Sequence, residues 1–139
     1  MTTYDEAALA ELHQLYAQQS HLIDGGDAEG WAATFTRDGE FHSPSYPAPA
    51  VGAVELAAFA RNFHAGGVAA GEVYRHVITN LYVAGSTGDA LDVRAYLQIV
   101  ATARGGDSRL VRMTTVADRV VRHDGQLRIA CRSVTRDDS

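Results

Sequence analysis

The chain has 139 residues, of which 46% are apolar and 21% charged, with a formal net charge of −5; this suits one domain over residues 1–139 that buries its own core. Its 12 basic side chains are scattered, which argues against a nucleic-acid partner, and no run of roughly 18 apolar residues is present to span a membrane. The single cysteine, Cys131, excludes an intrachain disulfide framework and a zinc site built on several thiolates.

In chain order, the opening Met1–Glu6 is polar and acidic, unlike a secretory signal, and a cytoplasmic location is expected. From Glu6 to Ile23 the residues Leu9, Leu12, Leu15, Tyr16, Leu22 and Ile23 fall on one helical face. Gly25-Gly26 stops this helix. Asp27 caps a short second helix carrying Trp31 and Phe35, four apart and so on one face. The turn Arg37-Asp38-Gly39 leads to a short strand, Glu40–Ser43, and the proline-rich Pro44–Pro49 reads as a loop. A third helix is expected over Val54–His64, with Leu56, Phe59, Ala60 and Phe63 inward, then a loop over Gly66–Gly71.

From Val73 the apolar period changes to two. Strands are expected at Val73–Ala84, Ala90–Arg104, Ser108–Arg122 and Gln126–Val134, joined by short glycine-bearing turns. The last residues, Arg136–Ser139, read as frayed. Helices followed by a meander make an α+β fold with the helices on one face of the sheet. Strands this long bend, and a curved sheet enclosing a cavity is the expected outcome. Leu91, Val93, Ala95, Leu97 and Ile99 form one alternating apolar face. Three helices cannot cover both faces of such a sheet, and a homo-oligomer is expected.

Gln19 lies within the apolar stripe of the first helix. A buried amide needs partners, so it is either a satisfied core residue or part of a polar-studded cavity wall. Asp24 ends the same helix, against the negative end of the helix dipole, which invites a reason beyond a solvated turn. His76 sits inside a strand with Tyr74, Ile78, Asn80 and Tyr82 as face-mates; this mixture suits a cavity wall, and imidazole exchanges protons near neutral pH. His123, His64, His13 and His21 read as solvated or off the apolar stripe, whereas His42 can point inward. No His-x-His or His-x-x-x-His spacing occurs, and no metal is expected. Glycine-rich dinucleotide fingerprints and the Gly-x-Ser-x-Gly elbow are also lacking. Cys131 reads as a small buried apolar residue.

The run Asp24-Gly25-Gly26-Asp27, then Trp31, then Phe35 to Phe41, resembles the opening of SnoaL-like proteins of the nuclear transport factor 2-like superfamily. Arg75–Asn80 is similar to a second family segment and the closing meander to a third. The resemblance implies a cone-shaped α+β barrel: a curved antiparallel sheet and three N-terminal helices around a pocket. It is nearest the scytalone dehydratase, bile-acid 7α-dehydratase and hexachlorocyclohexane dehydrochlorinase branch. There an Asp–His dyad abstracts a proton from carbon, and its members match Asp24 and His76. The chain departs from the branch at Gln19, where bile-acid dehydratases carry tyrosine, and at Ser43, beside His42, where the family has a strand tyrosine. Tyr46, Tyr74 and Tyr96 are the candidate replacements.

The leading expectation is a cofactor-independent lyase, a dehydratase or cyclase acting on a small cyclic or polyketide-like substrate in secondary metabolism or catabolism. His76 and Asp24 are its catalytic pair, Gln19, Trp31, His42, Tyr46 and Tyr96 its substrate-binding residues, and His42 or Tyr96 the acid for a departing hydroxyl. A double-bond isomerase or aldol-type cyclase would use the same dyad. A non-catalytic binding or oligomerising protein is the third reading. No cofactor, nucleic acid or membrane partner is expected. The resemblance favours a trimer over a dimer.

Overall fold

A computed structural model of the chain describes residues 5–138, so most of the polar opening and the final Ser139 lie outside the described residues. Helix α1 runs Glu6–Asp24, and its N-cap Asp5 accepts a hydrogen bond from the Ala8 amide at 2.9 Å. Leu12, Leu15, Tyr16, Gln19 and Ile23 form its buried face, as the helical period requires. The helix stops at Gly25, and Gly26 takes the left-handed conformation at φ +83°. Helix α2 spans Ala28–Ala32, with the Asp27 carboxylate accepting from the Gly30 amide at 2.9 Å. Phe35 belongs not to this helix but to strand β1, Phe35–His42. The Trp31 and Phe35 rings still meet, with centroids 4.9 Å apart. The expected Arg37-Asp38-Gly39 turn lies inside β1, as an irregularity in its register between Phe35 and Glu40.

After the proline loop come the two-residue strand β2, Ala50–Val51, and helix α3, Gly52–Ala70. The sequence suggests an end near His64 and a loop from Gly66, but the helix continues through that glycine pair to a left-handed C-cap at Gly71. The reason is packing: a Cβ on Gly67 would lie 3.1 Å from the Tyr74 ring. This glycine admits a close helix–strand approach rather than breaking the helix, a tertiary contact overriding propensity.

The remaining strands are β3 Glu72–Thr87, β4 Ala90–Ala103, β5 Ser108–His123 and β6 Gln126–Arg136. β6 thus stays paired to Arg136, where a frayed end was expected. The sheet order is β2-β1-β6-β5-β4-β3, with β3 to β6 an antiparallel meander and β1 parallel to β6. Its end strands do not pair, so the curved sheet stays unclosed. Leu91, Val93, Ala95, Leu97 and Ile99 are all buried on its inner side, so this face packs within the chain rather than remaining to be covered by a partner.

Two bulges decide which side chains face inward, because a one-residue slip turns every following side chain to the other face. In β3 the register shifts between Thr79 and Tyr82, with Asn80 at φ 57°. Tyr74, His76 and Ile78 are partly buried before the shift; after it Leu81 and Val83 pack on the core while Asn80 and Tyr82 are exposed. Asn80 and Tyr82 are therefore not face-mates of His76, as simple alternation predicts. In β6 the shift between Ile129 and Cys131 leaves Cys131 half-buried opposite Glu40 and turns Arg132 inward. Alternation from Leu127 and Ile129 predicts the reverse.

Gly26 joins α1 to α2 where no other residue fits well. Its φ is positive, and an added Cβ would come 2.9 Å from the His64 ring. His64 therefore sits within α3 against this turn, not at a helix end. Gly26→Ala should lower stability by about 1 kcal/mol or more, read as a lower urea midpoint with an unchanged slope.

Candidate active site

Asp24 ends α1 and His76 lies on the facing stretch of β3. His76 Nδ1 is 2.7 Å from Asp24 Oδ1, and the His76 backbone amide donates to the same carboxylate at 3.0 Å (Oδ2) and 3.2 Å (Oδ1). Both side chains are nearly buried, at 11% and 8% exposure. A carboxylate only accepts, so the neutral ring carries its proton on Nδ1 and leaves the Nε2 lone pair free. Nε2 has no protein partner among the described residues. Phe63 packs on the imidazole, with centroids 4.9 Å apart.

His76 lines a cavity between the helices and the inner face of the sheet; Asp24 stands behind it, outside the wall. Trp31, Phe41, Tyr46, Phe59 and Phe63 supply an aromatic side. Phe41 and Phe59 are 4.6 Å apart between centroids, and Tyr46 meets Phe59 edge-on at 5.0 Å. Gln19, Ser43, Arg112, Thr114 and Arg132 supply the polar part.

Of the residues singled out from sequence, His76, Gln19, Trp31 and Tyr46 meet at this cavity. His42 and Tyr96 do not. His42 projects from the outer side of β1 and pairs with Glu40 at 2.8 Å. Tyr96 lies 44% exposed on the outer face, in a groove with Asn80, Tyr82 and Arg94. Tyr74 packs against Phe63 in a neighbouring hollow.

Sequence reasoning missed the charged network at the cavity wall. Arg132 donates to Asp118 from Nε at 3.0 Å and from Nη2 at 2.8 Å, and the Tyr16 hydroxyl donates to the same carboxylate. The guanidinium also lies 5.5 Å from the Tyr16 ring centroid. Burial, and then the Asp118 charge, push the Tyr16 phenol well above its ordinary pKa, so it stays neutral. Burial works against the Arg132 charge, but Asp118 outweighs it and the guanidinium pKa is raised. The signal for Asp118 was present: it shares the inward parity of Thr114, Val116 and Val120. Arg132 carried none, because the β6 bulge reverses its face.

A second grouping arises from cross-strand pairing. Ligand atoms of Glu40, His42 and Cys131 lie within 4.8 Å of one another, the arrangement among the described residues best able to hold a metal ion. Spacing along the chain could not reveal it, since Cys131 comes from β6. Burial, and then the negative charge of Glu40, raise the Cys131 thiol pKa, which lowers the thiolate fraction at a given pH.

A SnoaL-like domain family matches residues 6–133. ActVI-ORFA from Streptomyces coelicolor is similar over 97% of this chain and 98% of its own, at 26% identity and a TM-score of 0.88. A Catenulispora acidiphila protein in complex with S-DNPA is 32% identical over 96% of each chain, with a TM-score of 0.83. An NTF2-like protein with a cystatin-like fold from Novosphingobium aromaticivorans covers 97% of this chain, and this chain 92% of it, at 23% identity and a TM-score of 0.81, a likeness of fold alone. No curated protein matches the chain. No helix among the described residues is long and apolar enough to cross a membrane.

Two outcomes are expected. Asp118→Asn strips the buried guanidinium of its counter-charge and should cost about 3–5 kcal/mol in urea unfolding, while Asp118→Leu with Arg132→Met and Tyr16→Phe, which removes both charges and the hydroxyl that donates to Asp118, should cost much less. Glu40→Gln should lower the Cys131 pKa, so iodoacetamide should alkylate that thiol faster at pH 8 than in the wild type; an unchanged rate would show that Glu40 does not act on it.

Proposed function

Because the chain belongs to the SnoaL-like family, we propose that it is a cofactor-independent lyase, a dehydratase or cyclase working on a small cyclic or polyketide-like substrate. The observation that carries this reading is the 2.7 Å contact between His76 Nδ1 and Asp24 Oδ1, with His76 in the cavity wall and Asp24 behind it. His76 Nε2 takes a proton from carbon next to a carbonyl, and the C–H electron pair moves into a new double bond. Asp24 keeps the ring in the useful tautomer and stabilises the imidazolium, as a buried aspartate does for a catalytic histidine elsewhere. In a dehydration the adjacent C–O bond breaks, and the imidazolium returns its proton to the departing hydroxide to give water. Apolar walls strengthen the charge interactions at the reacting atoms.

One observation favours a related reading. His42 and Tyr96, the acids expected to assist a leaving hydroxyl, both lie outside the cavity wall. A double-bond isomerase or aldol-type cyclase uses the same His76 and Asp24 and expels nothing. Product mass separates the two: loss of 18 mass units, about one water, marks the lyase, and unchanged mass the isomerase. The solved relative in complex with S-DNPA makes that compound a reasonable first ligand to try. The outer sheet face exposes Val73, Val77, Tyr82 and Tyr96, which suits a homo-oligomer, with a trimer favoured over a dimer.

His76→Ala and Asp24→Asn should each slow deuterium uptake at the acidic carbon of a turned-over substrate in D₂O by about 10²–10⁴-fold, with circular dichroism unchanged. Full exchange in either variant would remove the dyad from the mechanism.

A further inference from the structure

Within the cavity wall, Gln19 has an unmet hydrogen-bonding need. It is 1% exposed, lines the cavity, and its Oε1 has no donor. The orientation of this amide is fixed by its neighbours. Thr34 Oγ1 lies 2.6 Å from the Trp31 carbonyl oxygen, which can only accept, so the single hydroxyl proton is committed there. Gln19 must then present a donor to Thr34, and its Nε2 stands 2.8 Å from Oγ1. Exchanging the amide oxygen and nitrogen would set two acceptors against each other. The relay from Gln19 N–H to Thr34 O–H to the Trp31 carbonyl therefore leaves Oε1 as a buried acceptor, a group that folded proteins rarely leave unpaired.

Nearby protein hydroxyls do not meet that need. Thr114 Oγ1 gives its proton to the Leu97 carbonyl at 2.8 Å, and Ser20 Oγ donates to the Tyr16 carbonyl at 3.5 Å. Arg132 is turned to Asp118, and Arg112 to the Tyr46 hydroxyl. Three aromatic side chains packed on one another, Trp31, Phe41 and Phe59, line the same cavity. We propose that the cavity takes a planar aromatic ligand bearing a hydroxyl, and that this hydroxyl donates its proton to Gln19 Oε1. The inference rests on the cavity being the substrate site, as above, but not on the reaction at His76. Gln19 thereby selects the ligand by polarity: a hydroxyl donor satisfies the site, while an ether or a carbonyl at the same place brings a second acceptor.

The test uses two probes that differ in that one proton, 2-naphthol and its methyl ether, 2-methoxynaphthalene, titrated by fluorescence against the whole chain. The wild type should bind 2-naphthol about tenfold more tightly. Gln19→Leu should bind the two within about twofold, because the acceptor that separates them is gone. Thr34→Val releases the amide to rotate and offer Nε2 to the ether oxygen, so the preference should fall there too; this variant carries the test if Gln19→Leu does not fold. His76→Ala should keep the preference. Equal affinities in the wild type, no binding of 2-naphthol, or a preference that survives in Gln19→Leu and disappears in His76→Ala would each overturn the proposal. A preference that follows Gln19 beside unimpaired turnover in His76→Ala would instead keep this inference and sink the proton-transfer reading.

Discussion

The arrangement around the cavity depends on one carboxylate. Asp24 closes α1 at the negative end of the helix dipole, where a negative charge is disfavoured. Two N–H groups of one residue, the backbone amide and the ring Nδ1 of His76, offset that cost. Charge-assisted bonds of this kind are the stronger ones. They tie the end of a long helix to one of the two longest strands, and so help to set the separation of two walls. Gln19, Ser20 and Ile23 reach the cavity from the last turns of α1, and His76 and Ile78 from β3. The join between them adds to the apolar packing that holds the two sets at this distance.

The same interior contains two kinds of packing. Around Leu12, Leu56, Val93, Val120 and Ile129 the core is fully buried and apolar. Next to it the chain buries an ion pair, a phenol and an amide. Removing charges from water is costly, and a buried pair is weak grounds for stability. Here the pair has a geometric consequence: Asp118 occupies Nε and Nη2 of Arg132, so the guanidinium stands rigidly in the wall. Tyr16, held neutral and donating to Asp118, completes the carboxylate's set of partners. The polar groups of the wall are thus mostly spent on one another, and Gln19 Oε1 is left without a partner.

Much of the fold was legible in the sequence because it rests on periodicity. Leu12, Leu15, Tyr16 and Ile23 repeat with the helix, and the four late strands alternate between glycine-bearing turns. What was not legible depends on contacts between distant residues. Gly66 and Gly67 read as a helix end until Tyr74 is seen packed on Gly67. The extra residues in β3 and β6 leave no mark in composition, yet they reverse the parity of Tyr82, Cys131 and Arg132. The site divides in the same way. Asp24 was conspicuous as a carboxylate at an unfavourable helix end, and His76 as an imidazole inside a strand, although two of the face-mates that marked it, Asn80 and Tyr82, lie on the other face. Tyr96 was named only as a stand-in for a family tyrosine, and alternation with Leu91, Val93, Ala95, Leu97 and Ile99 already sets it on the other face; His42 alternates in the same way with the inward Phe41.

That division bears on what the family likeness can carry. The Asp24–His76 pair sits on α1 and on the stretch of β3 before its bulge, whereas much of the rest of the wall comes from the proline loop, α3 and the end of β6. Likeness of fold speaks to the first group and says little about the second, since function resides in the site rather than in the scaffold. The residues that depart from the resembled branch, Gln19 and Ser43, both lie in the wall. Tyr46 is the one tyrosine among the described wall residues, and its hydroxyl faces Arg112 Nη1 at 3.5 Å, with the guanidinium 5.9 Å from its ring centroid. A phenol in that position reaches the cavity from the proline loop rather than from α1. On the proposed function, a base held between a helix and a strand and a phenol delivered by a loop can be altered separately, so a chain that retains the first while replacing the second is expected to keep its type of proton transfer and change the molecule on which it acts.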